Sequence, residues 1–262
     1  RYIVDENLKL KPPPHLSPSS MGTFNQCPQK FRFSKIDMIA DEPTSATLMG
    51  NFVHETLEYF YVLPPEDRNM ANLKALAAST WENSEWLERV TPWIGVDPDV
   101  IRLFRWNSWW CLEHIFDVEN PKSVDATYIE YELNGQLDGV TLKGFIDRLT
   151  VNETETVIAD YKTGKTPRAQ WVADKFLQLK IYGALAIELG VGRPDYLSLL
   201  YLKDGTGFRH RFTDEDIEET KVYVRSTKDA VDIACETHEF ETRKTRLCDW
   251  CAYKRICPAW RH

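Results

Sequence analysis

Residues 142–165 read LKGFIDRLTVNETETVIADYKTGK. Two apolar runs, Leu142–Val151 and Thr156–Tyr161, flank the polar Asn152-Glu153-Thr154-Glu155, the pattern of neighbouring antiparallel strands joined by a turn. Each run holds one acid that is out of place: Asp147 interrupts the first and Asp160 closes the second. A carboxylate buried near the end of a strand costs several kcal/mol unless its charge is compensated, and a divalent cation is a partner that two such acids can share. Lys162 follows Asp160 by two residues and so falls on the same strand face.

The bulk properties permit a metal site without requiring one. A chain of 262 residues suits one large domain or two small ones and can bury a substantial core. Hydrophobic residues at 43% and charged residues at 27% are ordinary for a globular protein. A formal charge of −8 argues against a protein that coats nucleic acid by charge alone, so any such contact must be local. There is no charged leader followed by an apolar core and no apolar run approaching the roughly 18 residues of a membrane span, which predicts a cytoplasmic protein. Six cysteines in a chain of this length, four of them spaced like ligands, fit metal binding in a reducing compartment better than a disulfide framework.

Upstream of the hairpin, residues 1–14 end in three prolines and read as an extended arm. Leu16-Ser-Pro-Ser-Ser20 offers helix caps to a segment from Met21 to Phe33 that contains Cys27-Pro28. Taken alone, Cys27 is a small buried hydrophobe. Ala46–Leu63 has the apolar face of a helix and contains His54, by itself an ordinary surface or core histidine. His54-Glu55 is not the start of a zinc-protease helix, because Glu58 stands where the second histidine is needed. Two helical segments, Met70–Val90 and Asp97–Asp117, carry Trp81, Trp86, Trp93, Trp106, Trp109 and Trp110, which read as core aromatics before they read as base-stacking platforms. Cys111 and His114 read as packing residues.

Around the hairpin, strands are expected at Ala126–Leu133, Val140–Val151 and Thr156–Tyr161, with Asn134-Gly135 and Asp138-Gly139 as turns between the first two. Glu130 is a weak metal-shell candidate with Glu132 as its rival. Thr163-Gly164-Lys165-Thr166 resembles the end of a phosphate-binding loop, but Ala159 replaces the first glycine and excludes it. A helix over Gln170–Leu189 ends at Gly190 and places Gln178 and Tyr182 on one face. It leads to a buried strand, Tyr196–Leu202, so the crossover predicts a strand parallel to that of Asp160. A last strand over Gly205–Phe212 and a long helix from Asp214 to about Cys235 follow. The closing segment, residues 243–262, has six Lys/Arg against one acid and contains Cys248-x2-Cys251-x5-Cys257. That spacing wraps one metal centre, and its fourth ligand must come from far along the chain.

Taken in order, Gly144-Phe-Ile-Asp-Arg148, Asp160-Tyr161-Lys162 and Gln178 with Tyr182 resemble the RecB-like branch of the PD-(D/E)xK nucleases. His54 upstream, with Cys27, Cys248, Cys251 and Cys257, resembles members that hold a [4Fe-4S] cluster, such as CRISPR adaptation nucleases and AddB-type helicase-nuclease subunits. The match runs from Ser17 to Cys257 and is poorest between about residues 64 and 120. It implies a single α/β domain of restriction-endonuclease type, a mixed central sheet flanked by helices. Residues 64–120 would form a helical insertion, and the cluster would clasp residues 15–35 to the C-terminal cysteine-rich segment, 240–262. It implies Mg²⁺ or Mn²⁺ held by His54, Asp147, Asp160 and the Tyr161 carbonyl, with Asp147, Asp160 and Lys162 catalytic. Arg148, Gln178 and Tyr182 would face DNA. Thiolates serve zinc as well as iron, and only the resemblance selects [4Fe-4S]. The implied activity is a DNA exonuclease on single-stranded ends, 5′→3′, with a helicase or recombination partner. The competing class is a non-catalytic DNA-end binding or assembly subunit of a recombination or repair complex, which has no need of Lys162.

Overall fold

The computed structural model of the chain describes residues 10–260. Of the expected extended arm, residues 1–9 lie outside that range and residues 10–15 have no regular structure. Ser17 caps α1 (Pro18–Gln26) by accepting from Ser20 N–H, with Pro18 at the first helical position where a missing N–H costs nothing. The capped segment over Met21–Phe33 is helical but broken at Cys27, whose backbone is extended, and α2 (Pro28–Phe31) restarts behind Pro28 before a π-helical turn, Arg32–Ile36. Pro28 favours that break, because a proline disfavours helical geometry at the residue before it.

Helix α3 (Ser45–Val62) is capped by Thr44 and buries Phe52, Val53, Leu57 and Phe60. The helical block follows as α4 (Met70–Asn83), α5 (Trp86–Ile94), α6 (Pro98–Glu113) and α7 (Ile115–Val118). Glu85 enters the left-handed region at φ 53° and divides α4 from α5. The tryptophans divide in two. Trp81 and Trp86 are buried and meet Phe52 edge-on at 5.7 and 5.3 Å, whereas Trp93, Trp106 and Trp110 are exposed.

The sheet has five strands in the order β1-β2-β3-β4-β5: β1 (Tyr128–Leu137), β2 (Val140–Val151), β3 (Thr156–Lys162), β4 (Tyr196–Tyr201) and β5 (Thr206–Arg211). Asn134-Gly135 lies inside β1 and is not a turn. Asp138 and Gly139, with φ of 50° and 73°, alone make the two-residue connection, for which positive φ at both central positions is the favoured geometry. β2 pairs antiparallel with β3, and β3 pairs parallel with β4, as the crossover requires. The crossover helix is not continuous. A 3₁₀ turn (Ala169–Trp171) and α8 (Val172–Lys175) precede α9 (Leu177–Glu188), and Phe176 between them is buried with its ring against His210 at 5.3 Å. α10 (Asp214–Thr237) closes the regular structure.

The chain resolves into two compact units. One comprises Pro43–Leu133 and Phe145–Asp214, and contains α3 to α7, most of the sheet and α9. Its core joins α3 and the helical block to Tyr161, Leu200 and Leu202 of the sheet region. The described part of the other comprises residues 10–42, Asn134–Gly144 and 215–260. Within it Gln29 N–H donates to the Glu241 carbonyl at 3.1 Å and the Tyr253 hydroxyl to the Ile39 carbonyl at 2.9 Å, which ties the N-terminal helices to the C-terminal segment. Among the described residues no helix is long and apolar enough to cross a membrane.

Candidate active site

The site forms where β2 and β3 part. Their regular pairing runs from Val151↔Thr156 to Arg148↔Ala159. One step further, Asp147 Oδ2 accepts the Tyr161 N–H at 2.8 Å, so a side chain replaces the backbone partner and its carboxylate becomes part of the sheet. α3 brings His54 over the same point. His54 Nε2–H donates to the Tyr161 carbonyl at 2.9 Å, and Nδ1 lies 3.5 Å from Asp147 Oδ1. The third group comes from β1, where Glu130 occupies the left-handed region at φ 48°, a strained conformation for a side-chain-bearing residue. His54, Glu130 and Asp147 each present a ligand atom within 4.8 Å of the others. Glu132 is exposed and lies outside this group.

Asp160, buried at the end of β3, faces Lys162 as their two-residue spacing requires, with Nζ 2.6 Å from Oδ2. Lys162 Nζ also donates to Gln178 Oε1 at 3.4 Å, and Gln178 Nε2 to the Tyr182 hydroxyl at 3.3 Å. The sequence-predicted Asp160, Lys162, Gln178 and Tyr182 thus form one connected row.

The electrostatics are those of a cation site filled by protons. Burial, with Asp147 next, pushes the Glu130 carboxyl up to about 7, and burial with Asp147 pushes Asp160 up to about 6 against the pull of Lys162. Burial alone would lower His54, but the hydrogen bond to Asp147 and the charges of Asp147 and Asp160 outweigh it and raise the imidazole to about 9. The donor set of imidazole, carboxylates and a carbonyl is that of a hard divalent ion. The residues therefore fit Mg²⁺ or Mn²⁺, with Glu130 a full member of the group.

Arg148 is placed differently from the expectation that it faces DNA. It is 5% exposed, grips Glu119 with two hydrogen bonds of 2.6 and 2.8 Å, and donates to the Tyr161 hydroxyl at 2.9 Å. Tyr61 donates to the same Glu119 and stacks against Tyr161. A guanidinium committed in this way is not available to a phosphate. Its role is to hold the ring of the residue whose backbone carbonyl faces His54. Strand alternation carries the reason: Asp147 faces the site, so its neighbour Arg148 points to the opposite side.

In the other unit Cys27, Cys248, Cys251 and Cys257 line one small cavity, and all four are free and half-buried. Burial, together with Cys27, Cys251 and Cys248, raises the Cys257 thiol. Cys111 and Cys235 are buried apart from this cavity, and burial pushes both thiols up to about 11. The four half-buried thiols are a donor set for a thiolate-bound metal centre.

Residues 15–258 match the PD-(D/E)XK nuclease superfamily. The chain belongs to this superfamily. Similar curated proteins are the Gene 69 proteins of Mycobacterium phages L5 and D29. Both are 26% identical, over 67% and 69% of this chain and 71% and 72% of theirs. In fold the chain is similar to the crystal structure of an Eubacterium rectale protein described as a candidate exonuclease, with a TM-score of 0.55 and 17% identity over 93% of this chain and 89% of that one. The mixed five-stranded sheet flanked by helices is the restriction-endonuclease-like fold of this superfamily. The chain is thus a nuclease, and its superfamily works with divalent metals.

Two predictions follow from the geometry. Mn²⁺ or Mg²⁺ should raise the thermal midpoint of chelator-treated protein, and Glu130→Gln should remove most of that rise. Protons compete for the same atoms, so the rise should grow with pH as Asp160 (about 6), Glu130 (about 7) and His54 (about 9) lose them. An equal rise in wild type and Glu130→Gln would remove Glu130 from the ligand group. Separately, Glu119→Ala leaves the buried Arg148 charge unpaired and should cost about 3–5 kcal/mol of stability by denaturant unfolding.

Proposed function

We propose that this nuclease is a metal-dependent DNA exonuclease that acts on single-stranded ends in the 5′→3′ direction. The single observation that carries the catalytic reading is the Asp160–Lys162 contact beside the His54, Glu130 and Asp147 group, because it sets a cation next to the atoms that would hold a metal. When bound, a divalent ion would supply neutralisation of phosphate charge and activation of the attacking water. His54, Glu130, Asp147, Asp160 and the Tyr161 carbonyl would hold it. Lys162, its charged form favoured by Asp160 against the opposing effect of burial, would orient the water and offset the negative charge that develops on the phosphate. Gln178 would steady the Lys162 ammonium from the far side, and with Tyr182 it would bound the path of the strand. Arg148 acts at one remove, through Tyr161.

In this reading Cys27, Cys248, Cys251 and Cys257 hold a [4Fe-4S] cluster with a structural role, and the chain works beside a helicase or recombination partner. Among the described residues no three of these thiols lie within 4.8 Å of one another. A tetrahedral zinc site with bonds of about 2.3 Å needs its sulfurs about 3.8 Å apart, so the thiols would have to close up to bind zinc; what supports the reading is the Cys248-x2-Cys251-x5-Cys257 spacing with Cys27 as a distant fourth ligand.

The test is anaerobic purification with iron analysis and a visible spectrum, followed by digestion of 5′- and 3′-labelled single- and double-stranded DNA with Mn²⁺ or Mg²⁺. Asp160→Ala should abolish cleavage with the fold retained, and Lys162→Ala should slow it by roughly 10²–10³. Full activity in either variant overturns the catalytic assignment. Cys27→Ala should lose the iron that Cys111→Ala retains; zinc in place of iron would remove the cluster and keep the four-cysteine site.

A further inference from the structure

The catalytic group is strongly acidic, with Glu58, Glu130, Asp147 and Asp160 acting on one another. Apart from Lys162 it can draw a phosphate only through its metal, so further contacts that keep a strand on this protein would lie elsewhere. Within the same unit, α4 and α6 enclose a groove of about 700 Å³. Its rim carries Lys74, Arg102 and Arg105, and no acid lines it, in a chain whose net charge is −8. Lys74 and Arg105 have no carboxylate partner among the described residues. Arg102 has only the exposed Asp99 at 3.0 Å, a pair too solvated to hold it. Arg105 is braced by stacking over Trp81 at 5.0 Å. Beside the cations Trp106 is 59% exposed, and the half-buried Trp109 packs against the core with Ile101 and Ala77 and lines the groove with what remains of its indole.

We propose that this groove is an accessory binding site for single-stranded nucleic acid, in which bases stack on Trp106 and Trp109 while Lys74, Arg102 and Arg105 take the phosphates. Aromatic faces interleaved with cations are what sequence-independent strand binding uses. Duplex DNA, with its bases already stacked, could use only the charges. The groove does not share the catalytic face. Phe52, at its floor, and His54 are two residues apart on α3 and so about 200° apart around that helix. A strand must therefore pass around a helix about 10–12 Å across to occupy both places, and only a long strand can do so. This rests on the nuclease reading only in taking nucleic acid as the occupant.

The test compares oligothymidylates of about four and about 20 nucleotides, the second beyond the roughly 4–16 that one strand-binding module covers. Cleavage by the full chain is measured with Mn²⁺, and binding of a labelled long oligomer is measured without added metal. Trp106→Ala should weaken long-oligomer binding and raise its KM roughly tenfold, with kcat and cleavage of the short oligomer unchanged. Lys74→Gln should flatten the dependence of log affinity on log salt by about 0.7, the loss of one single-strand phosphate contact. A packing defect would slow both lengths alike. Unchanged long-oligomer affinity and KM in both variants overturns the proposal and leaves the groove to an acidic segment of a protein partner. Wild type that binds the long oligomer through Trp106 and Lys74 but cuts nothing supports the groove and overturns the exonuclease reading instead.

Discussion

Three carboxylates and one imidazole crowd the point where β2 and β3 separate, and the unit around them is arranged to tolerate that charge. Asp147 cannot move away, because its Oδ2 completes the hydrogen bonding of the sheet at Tyr161. Asp160 cannot be solvated, because it is buried one residue earlier on β3. Glu130 reaches the group only through a strained backbone. At an effective dielectric of about 20, two unit charges 4 Å apart interact by about 4 kcal/mol, so such a group keeps protons or takes a cation. The upward shifts of Asp160, Glu130 and His54 express the first state, and the donor chemistry suits the second.

Beneath this group lies a second charge problem with a different solution. Arg148 and Glu119 form a buried pair with two hydrogen bonds, and Tyr61 and Tyr161 satisfy part of what remains. Replacing such pairs with well-packed apolar residues is often neutral or favourable, so stability alone does not account for it. What the pair adds is position. It fixes the Tyr161 ring while His54 and Asp147 bind the backbone of the same residue. Tyr161 is therefore held at its hydroxyl, its carbonyl and its N–H, and it lies between the two residues that complete the row, Asp160 and Lys162.

Much of this was legible in the sequence, where local rules act. Alternation placed Asp160 and Lys162 on one face, the polar break at Asn152 marked the hairpin, and helical periodicity gave the segment that carries His54 to within a residue at each end. What the sequence concealed depended on tertiary choices. Glu130 and Glu132 are equally spaced on a strand, and only the left-handed turn at Glu130 separates them. Arg148 follows Asp147 directly, so a motif reading groups the two, although alternation sends them to opposite sides. Asn134-Gly135 has the composition of a turn, yet a hairpin needs one turn and Asp138-Gly139 provides it. The tryptophans share a helical period, and which of them α3 would cover could not be read from spacing.

The distribution of charge explains why a nuclease can afford to be acidic. Acids gathered around a catalytic cation are useful only if they are dense, and density repels the phosphodiester backbone over about a Debye length, roughly 8 Å at physiological salt. Cations intermixed with those acids would pair with them, as Lys162 does with Asp160, and would lower the charge available to hold the metal. Keeping Lys74, Arg102 and Arg105 on the far side of α3 avoids that loss, because a helix about 10–12 Å thick separates the two fields by more than a screening length. The helical block thus allows an acidic metal centre and a basic strand-binding surface to coexist in one small unit without neutralising each other.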